Sequence, residues 1–152
     1  MMKNDDLMHG DRVASTTSAL VVGRRTYDLV DGWGHTDPFA GESVFVLTQV
    51  GPKEHAKGKS PSTFVTDGIA SALAQAIAAT GDKNVYIIGG ANVAHKALNV
   101  HQLDEIRLHL VPLLLGERVR LFEDSSKESV ELETIRVTQT PGVTYIWFSM
   151  LK

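Results

Sequence analysis

Two stretches of this chain carry residue types able to hold a phosphate. They are Ala19-Leu20-Val21-Val22-Gly23-Arg24-Arg25-Thr26 and Val85-Tyr86-Ile87-Ile88-Gly89-Gly90-Ala91-Asn92. In each, a run of strand-forming apolar residues ends at glycine, where a helix is expected to begin. Glycine lets a backbone approach a phosphate closely, and a helix N-terminus offers unpaired N–H groups and about half a positive charge. One such junction is common. Two in a small α/β chain, one of them carrying Arg24 and Arg25, point to a bound dinucleotide with an extra phosphate.

The elements that must position these junctions alternate along the chain. Residues 5–17 form a weak helix candidate with Gly10 inside it, a position that costs about 1 kcal/mol against alanine. Ala19–Val22 reads as a short buried strand and Arg24–Val30 as a brief helix, followed by a glycine-rich loop over Asp31–Gly41. Ser43–Thr48 and Thr63–Thr66 read as strands on either side of a lysine- and glycine-rich excursion, Gly51–Pro61. A helix follows, with Asp67 as its expected cap, Ile69, Leu73 and Ile77 on one stripe, and Gly81 as its terminator. Asn84–Ile88 is nearly all apolar, as in a strand covered on both faces. Ala91–Leu98 is a second helix, and Glu105–Val111 alternates as a half-covered strand.

In the last third, Val130 and Leu132 are out of phase with Ile135 and Val137, which predicts a bulge near Glu133–Thr134. Pro141-Gly142 reads as a turn into Val143–Leu151. That segment is apolar on both faces, so it is expected to lie centrally in a sheet or against another subunit. A homodimer through this β-rich third is therefore expected.

Composition bounds the function. At 152 residues the chain is expected to be one domain, 43% hydrophobic and 22% charged, in the range of ordinary globular proteins. A net charge of −3 gives no basic footprint, so nucleic acid is not an expected partner. There is no cysteine, which excludes disulfides and thiolate catalysis. No apolar stretch approaches the roughly 18 residues of a membrane span, and the N-terminus lacks a signal-peptide core. A cytoplasmic location is expected. The histidines His35, His95 and His101 show no metal-ligand spacing, so no metal site is expected. Asp104 and Glu105 read as solvated or structural, and Lys53, Lys57 and Lys59 as a charged loop. Trp33 reads equally as a substrate platform and as a loop anchor.

Taken in order, Val22-Gly23-Arg24-Arg25-Thr26-Tyr27, Val46-Leu47-Thr48 and Ile88-Gly89-Gly90 resemble the cofactor half of dihydrofolate reductase. Leu103-Asp104-Glu105-Ile106-Arg107-Leu108, Val111-Pro112-Leu113-Leu114-Leu115-Gly116 and Leu121-Phe122 resemble a sister group. That group is the C-terminal reductase domain of the bifunctional riboflavin-pathway protein and its stand-alone bacterial relatives. The resemblance implies an α/β fold with a dihydrofolate reductase-like mixed, mostly parallel sheet flanked by helices. It implies an NADPH-dependent oxidoreductase acting on a small nitrogen heterocycle, a ribosylamino-pyrimidine (5-amino-6-(5-phosphoribosylamino)uracil reductase-like) or a pterin. Gly23 would turn the backbone beneath the cofactor, and Arg24 and Thr26 would face its phosphates. Arg24 or Arg25 would take the 2′-phosphate. Leu47 and Thr48 would lie beside the adenosine. Gly89 and Gly90, with the amides of Ala91, Asn92 and Val93, would hold the pyrophosphate across a Gly89–Gly90 peptide expected to be cis. This is not the G-x-G-x-x-G fingerprint; the phosphate site is split between two strand ends.

The departure from both groups lies at the N-terminus. Only eighteen residues precede Ala19, and none forms the apolar first strand that those groups begin with. Residues 1–18 read as a remnant of the segment leading into the Gly23 strand. No residue is assigned as the catalytic acid, and slow turnover is expected of the chain as given. The alternative reading is a truncated, non-catalytic nucleotide-binding or dimerisation domain.

Overall fold

Period-two alternation in the apolar strands generates a sheet with two buried faces. In the computed structural model, which describes residues 17–33, 42–51, 62–117, 120–122 and 129–151, β1 (Thr17–Gly23) is the axis of that sheet. Ala19, Leu20, Val21 and Val22 are wholly buried. Ala19 and Val21 point to one face, where Phe45, Val65 and the helix residues Ile69, Ala72, Leu73, Ala76, Val93 and Ala97 complete a core cluster. Leu20 and Val22 point to the other, against Tyr27, Val44 and Val46.

The chain runs from β1 into α1 (Arg24–Leu29) and a 3-10 turn at Asp31–Trp33, then β2 (Ser43–Leu47) and β3 (Ser62–Val65). Next come α2 (Ile69–Thr80), β4 (Asn84–Ile88) and α3 (Ala91–Asn99). The four strands form a parallel sheet in the order β3-β2-β1-β4. Tyr27 anchors α1: its ring meets Phe64 edge-on at 5.5 Å, and its hydroxyl bonds Ser62 Oγ at 3.2 Å.

The last third forms β5 (Glu105–Leu110), β6 (Leu132–Gln139) and β7 (Thr144–Met150), an antiparallel sheet in the order β5-β7-β6. β7 is the central strand, one of the two placements expected for it, and most of its residues are half-buried. The register shift between Thr134 and Arg136 makes Ile135 the bulged residue, at the phase break read from the sequence. Thr140 closes the hairpin turn, its N–H and hydroxyl both bonding Val143 O at 2.9 and 3.1 Å. The α/β architecture is as expected, but the strands divide into a parallel and an antiparallel sheet with no ladder between them among the described residues.

Three local expectations are corrected. The cap of α2 is Gly68 at φ +103, with no side-chain hydrogen bond, because the chain's reversal falls one residue beyond Asp67. Ile77 is 56% exposed, since small Ala72 and Ala76 let α2 settle on the sheet along the Ile69–Leu73 side. β4 is only half-buried, because it pairs on one side alone, with β1. The 5–17 helix candidate up to residue 16, the end of the Asp31–Gly41 loop and the lysine-rich excursion lie outside the described residues. Among the described residues no helix is long and apolar enough to cross a membrane.

Candidate functional site

Parallel pairing sets Val22 beside Val46 on one side and Ile88 on the other, so three strands end together. Gly23 stands opposite Leu47 at that edge. From β1 the chain passes to β2 on one flank and later returns to β4 on the other. Their carboxyl ends therefore form a topological switch point, where open α/β sheets bind ligands.

The two glycine junctions meet here. A Cβ on Gly23 would lie 2.9 Å from Val93 Cγ2, so only glycine lets the start of α3 approach β1 this closely. A Cβ on Gly89 would lie 2.9 Å from Thr26 Cγ2, and one on Gly90 3.7 Å from Thr26 Oγ1. Thr26 thus sits over the Gly89–Gly90 turn. That turn contains no cis peptide, contrary to expectation. Successive positive φ values of 63° and 62° reverse the chain with trans bonds. Gly90 caps α3 without any side-chain hydrogen bond, and its carbonyl receives the N–H of Val93 at 3.0 Å and of Ala94 at 3.4 Å. The amides of Ala91 and Asn92, ahead of those bonds, face the turn as free donors of a helix start.

The other predicted residues frame this turn unequally. Arg24 directs its Nε to both oxygens of Asp28, at 2.8 and 2.9 Å, and its guanidinium lies 5.7 Å from the Phe64 ring centre. Arg25 is exposed and makes no ion pair among the described residues. Both arginines, with Asp28 and Leu29, border a shallow depression. Thr48 spends its hydroxyl on a local turn, donating to Val50 O at 2.8 Å, while its N–H bonds Val65 O at 3.0 Å.

A cavity of about 540 Å³ opens from Gly89, Gly90 and Ala91 and runs between β4 and β5. Its walls include Tyr86 and Arg107, which sequence reasoning did not single out. Arg107 looked like the solvent side of an alternating strand, yet it is half-buried. Its guanidinium stacks on Trp147 at 4.3 Å, approaches Tyr86 at 5.9 Å and bonds Glu105 at 3.0 Å. Arg136 flanks the same indole at 5.5 Å. Burial raises the Tyr86 phenol above its ordinary pKa, and nearby Arg107 offsets part of that rise. The signal available in the sequence was the shared strand phase of Arg107, His109, Tyr145 and Trp147. Asp104 and Glu105 are exposed, and the Asp104 carbonyl accepts the Met150 N–H at 2.9 Å.

Two glycine turns that meet at a switch point, beside a helix start with no side-chain cap, define a backbone-lined cradle in an α/β protein. The chain belongs to the RibD C-terminal domain family, whose model matches residues 1–145. It is 25% identical over 114 residues to YwjB of Bacillus subtilis (strain 168), covering 75% of this chain and 63% of that protein. It is 27% identical over 144 residues to YyaP of the same organism, covering 84% and 71%. Both relatives are uncharacterized. Among solved structures, a Shewanella sp. PV-4 protein named for riboflavin biosynthesis superposes with a TM-score of 0.77 at 22% identity, covering 99% of this chain and 81% of the other. A pyrimidine reductase-like protein of Corynebacterium diphtheriae gives 0.65 at 14%, covering 99% and 83%. At these identities the superpositions establish the fold alone.

Proposed function

We propose that the chain binds NADPH at the switch point and serves as a reductase of a small nitrogen heterocycle, of ribosylamino-pyrimidine or pterin type. The observation that carries this reading is the meeting of Thr26 with the Gly89–Gly90 turn above the uncapped start of α3. The residues fit a pyrophosphate, because side chains are excluded at Gly23 and Gly89 and amide donors remain at Ala91 and Asn92. Family membership and the name of the C. diphtheriae neighbour support the reaction class and the heterocycle. When bound, the cofactor supplies a hydride; the protein's part is orientation and exclusion of water. Gly23, Thr26, Gly89, Gly90 and the amides of Ala91 and Asn92 hold the phosphates in this reading, with Leu47 and Thr48 beside the adenosine; the Val93 N–H, expected among them, is taken by the Gly90 carbonyl. Arg25 is the freer partner for a 2′-phosphate, since Asp28 already occupies Arg24.

A charged hydrogen bond contributes about 1.5–3 kcal/mol, or one to two decades in affinity. NADPH is therefore expected to bind at least tenfold more tightly than NADH by calorimetry, and Arg25→Ala to lose more of that preference than Arg24→Ala. Equal dissociation constants for the two cofactors would refute the assignment. Turnover is tested by loss of NADPH absorbance with candidate heterocycles.

One observation favours a second reading, nucleotide binding without turnover. Beside the cradle, the Glu105 carboxylate is paired with the Arg107 guanidinium at 3.0 Å. A second copy of the chain is the proposed partner in either case, through the apolar segment around Leu113–Leu115.

A further inference from the structure

The charges on α1 are arranged against the helix that carries them. Arg24 and Arg25 open it and Asp28 lies in its last turn, with no acid in the first turn and no base in the last. A helix dipole disfavours cations at the start and an anion at the end, and basic-before-acidic is the weaker order at four-residue spacing. The Arg24–Asp28 pair is also open to water, its side chains 39% and 54% exposed. An ion pair of this kind shifts a folding equilibrium by only about twofold. Helix stability therefore does not account for an aspartate at this position.

What Asp28 does fix is the direction of Arg24. Both carboxylate oxygens accept from the Arg24 Nε, and the guanidinium is drawn over the ring of Phe64. Phe64 lies on β3, at the opposite edge of the sheet from β4. Arg24 thus leaves the end of β1 and reaches toward β3, away from the Gly89–Gly90 turn. Asp28 also borders the same depression as both arginines. An anion placed there meets two cations and one carboxylate, and the carboxylate already holds one of the cations.

We propose that Asp28 is a specificity-determining residue, a role that rests on the dinucleotide reading of the switch point. It withholds Arg24 from the 2′-phosphate and so limits the preference for a phosphorylated cofactor, leaving Arg25 as the main discriminating contact. Replacing the carboxylate by an amide exchanges a charge-assisted hydrogen bond for a neutral one about half as strong. The released guanidinium then adds a second charged contact to the phosphate, worth about tenfold in affinity. NADH has no 2′-phosphate and gains nothing from the release.

The test is calorimetric titration of the whole chain with NADPH and with NADH. Asp28→Asn is expected to raise the NADPH-over-NADH preference about tenfold, through tighter NADPH binding with NADH little changed. Asp28→Glu keeps a carboxylate within reach of Arg24 and should retain the parent preference. In an Arg24→Ala background, Asp28→Asn should change the preference little, because there is no guanidinium to release. Three results would each overturn the proposal: an unchanged preference in Asp28→Asn, an equal gain with and without Arg24, or an equal gain for both cofactors. The two readings fail separately. A parent that prefers NADPH alongside an inert Asp28→Asn keeps the dinucleotide site and removes the restraint. A parent without preference that acquires one in Asp28→Asn refutes the assignment of Arg25 and upholds the restraint. Absence of binding by either cofactor to any variant overturns both.

Discussion

Gly89 shows how much one missing side chain can decide. Its φ of +63° is open to glycine and costs alanine about 1–2 kcal/mol, and the new Cβ would press on Thr26. Gly89→Ala is expected to lower the unfolding free energy by that amount in urea titration and to weaken NADPH binding at least tenfold. Gly81→Ala, at φ +61° but with open space around it, should leave binding intact. Tyr86 makes a different kind of claim. Its pKa is raised by burial, so the folded state holds the phenolic proton more tightly than the unfolded chain does. The resulting stability is complete below the ordinary value of 10.0 and is lost as pH rises through the higher folded value. Thermal melts from pH 8 to 11 should fall less steeply for Tyr86→Phe than for the parent. Identical slopes would contradict it.

Elements carry their own prediction. Leu73 and Ile77 look equivalent by four-residue spacing, yet one is 3% exposed and the other 56%. Leu73→Ala is expected to cost about 2–5 kcal/mol, whereas Ile77→Ala should cost well under 1 kcal/mol. Denaturant midpoints of the two variants separate these outcomes. Most elements were legible because their signals are local: the apolar run of β1, the alternation of β5, the phase break at Ile135, the turn at Pro141-Gly142. The cap of α2 was not, because a positive φ at Gly68 moves the helix start past Asp67 without changing any periodicity. Nor was the burial of Arg107. Alternation says which face a residue takes, but not that an indole from another strand lies there. The glycine junctions of the candidate site could be read from sequence. Their contact through Thr26, and the engagement of Arg24 by Asp28, depend on packing that no spacing encodes.

At the scale of the molecule, apolar surface remains uncovered. Leu113, Leu114 and Leu115 are 66%, 99% and 75% exposed, and Ile135 and Val137 are also exposed. Monomers rarely leave contiguous apolar patches beyond a few hundred Å² in water. A dimer is expected by light scattering at micromolar concentration, and Leu114→Glu should shift it to monomer with little change in NADPH affinity. A monodisperse parent monomer would count decisively against this interface.

The central place of β1 also has a consequence in time. Val22 pairs with Ile88, 66 positions later in the chain. At about 5–20 residues per second of synthesis, β1 waits roughly 3–13 seconds for that partner. The β6–β7 hairpin, by contrast, joins strands separated by one short turn and closes on a scale of about 1–10 microseconds. The most deeply buried strand is thus the one that stays incompletely paired longest during its own manufacture. Conditions that slow elongation between α1 and β4 should lengthen that interval, and with it the period in which nascent chains can associate through β1.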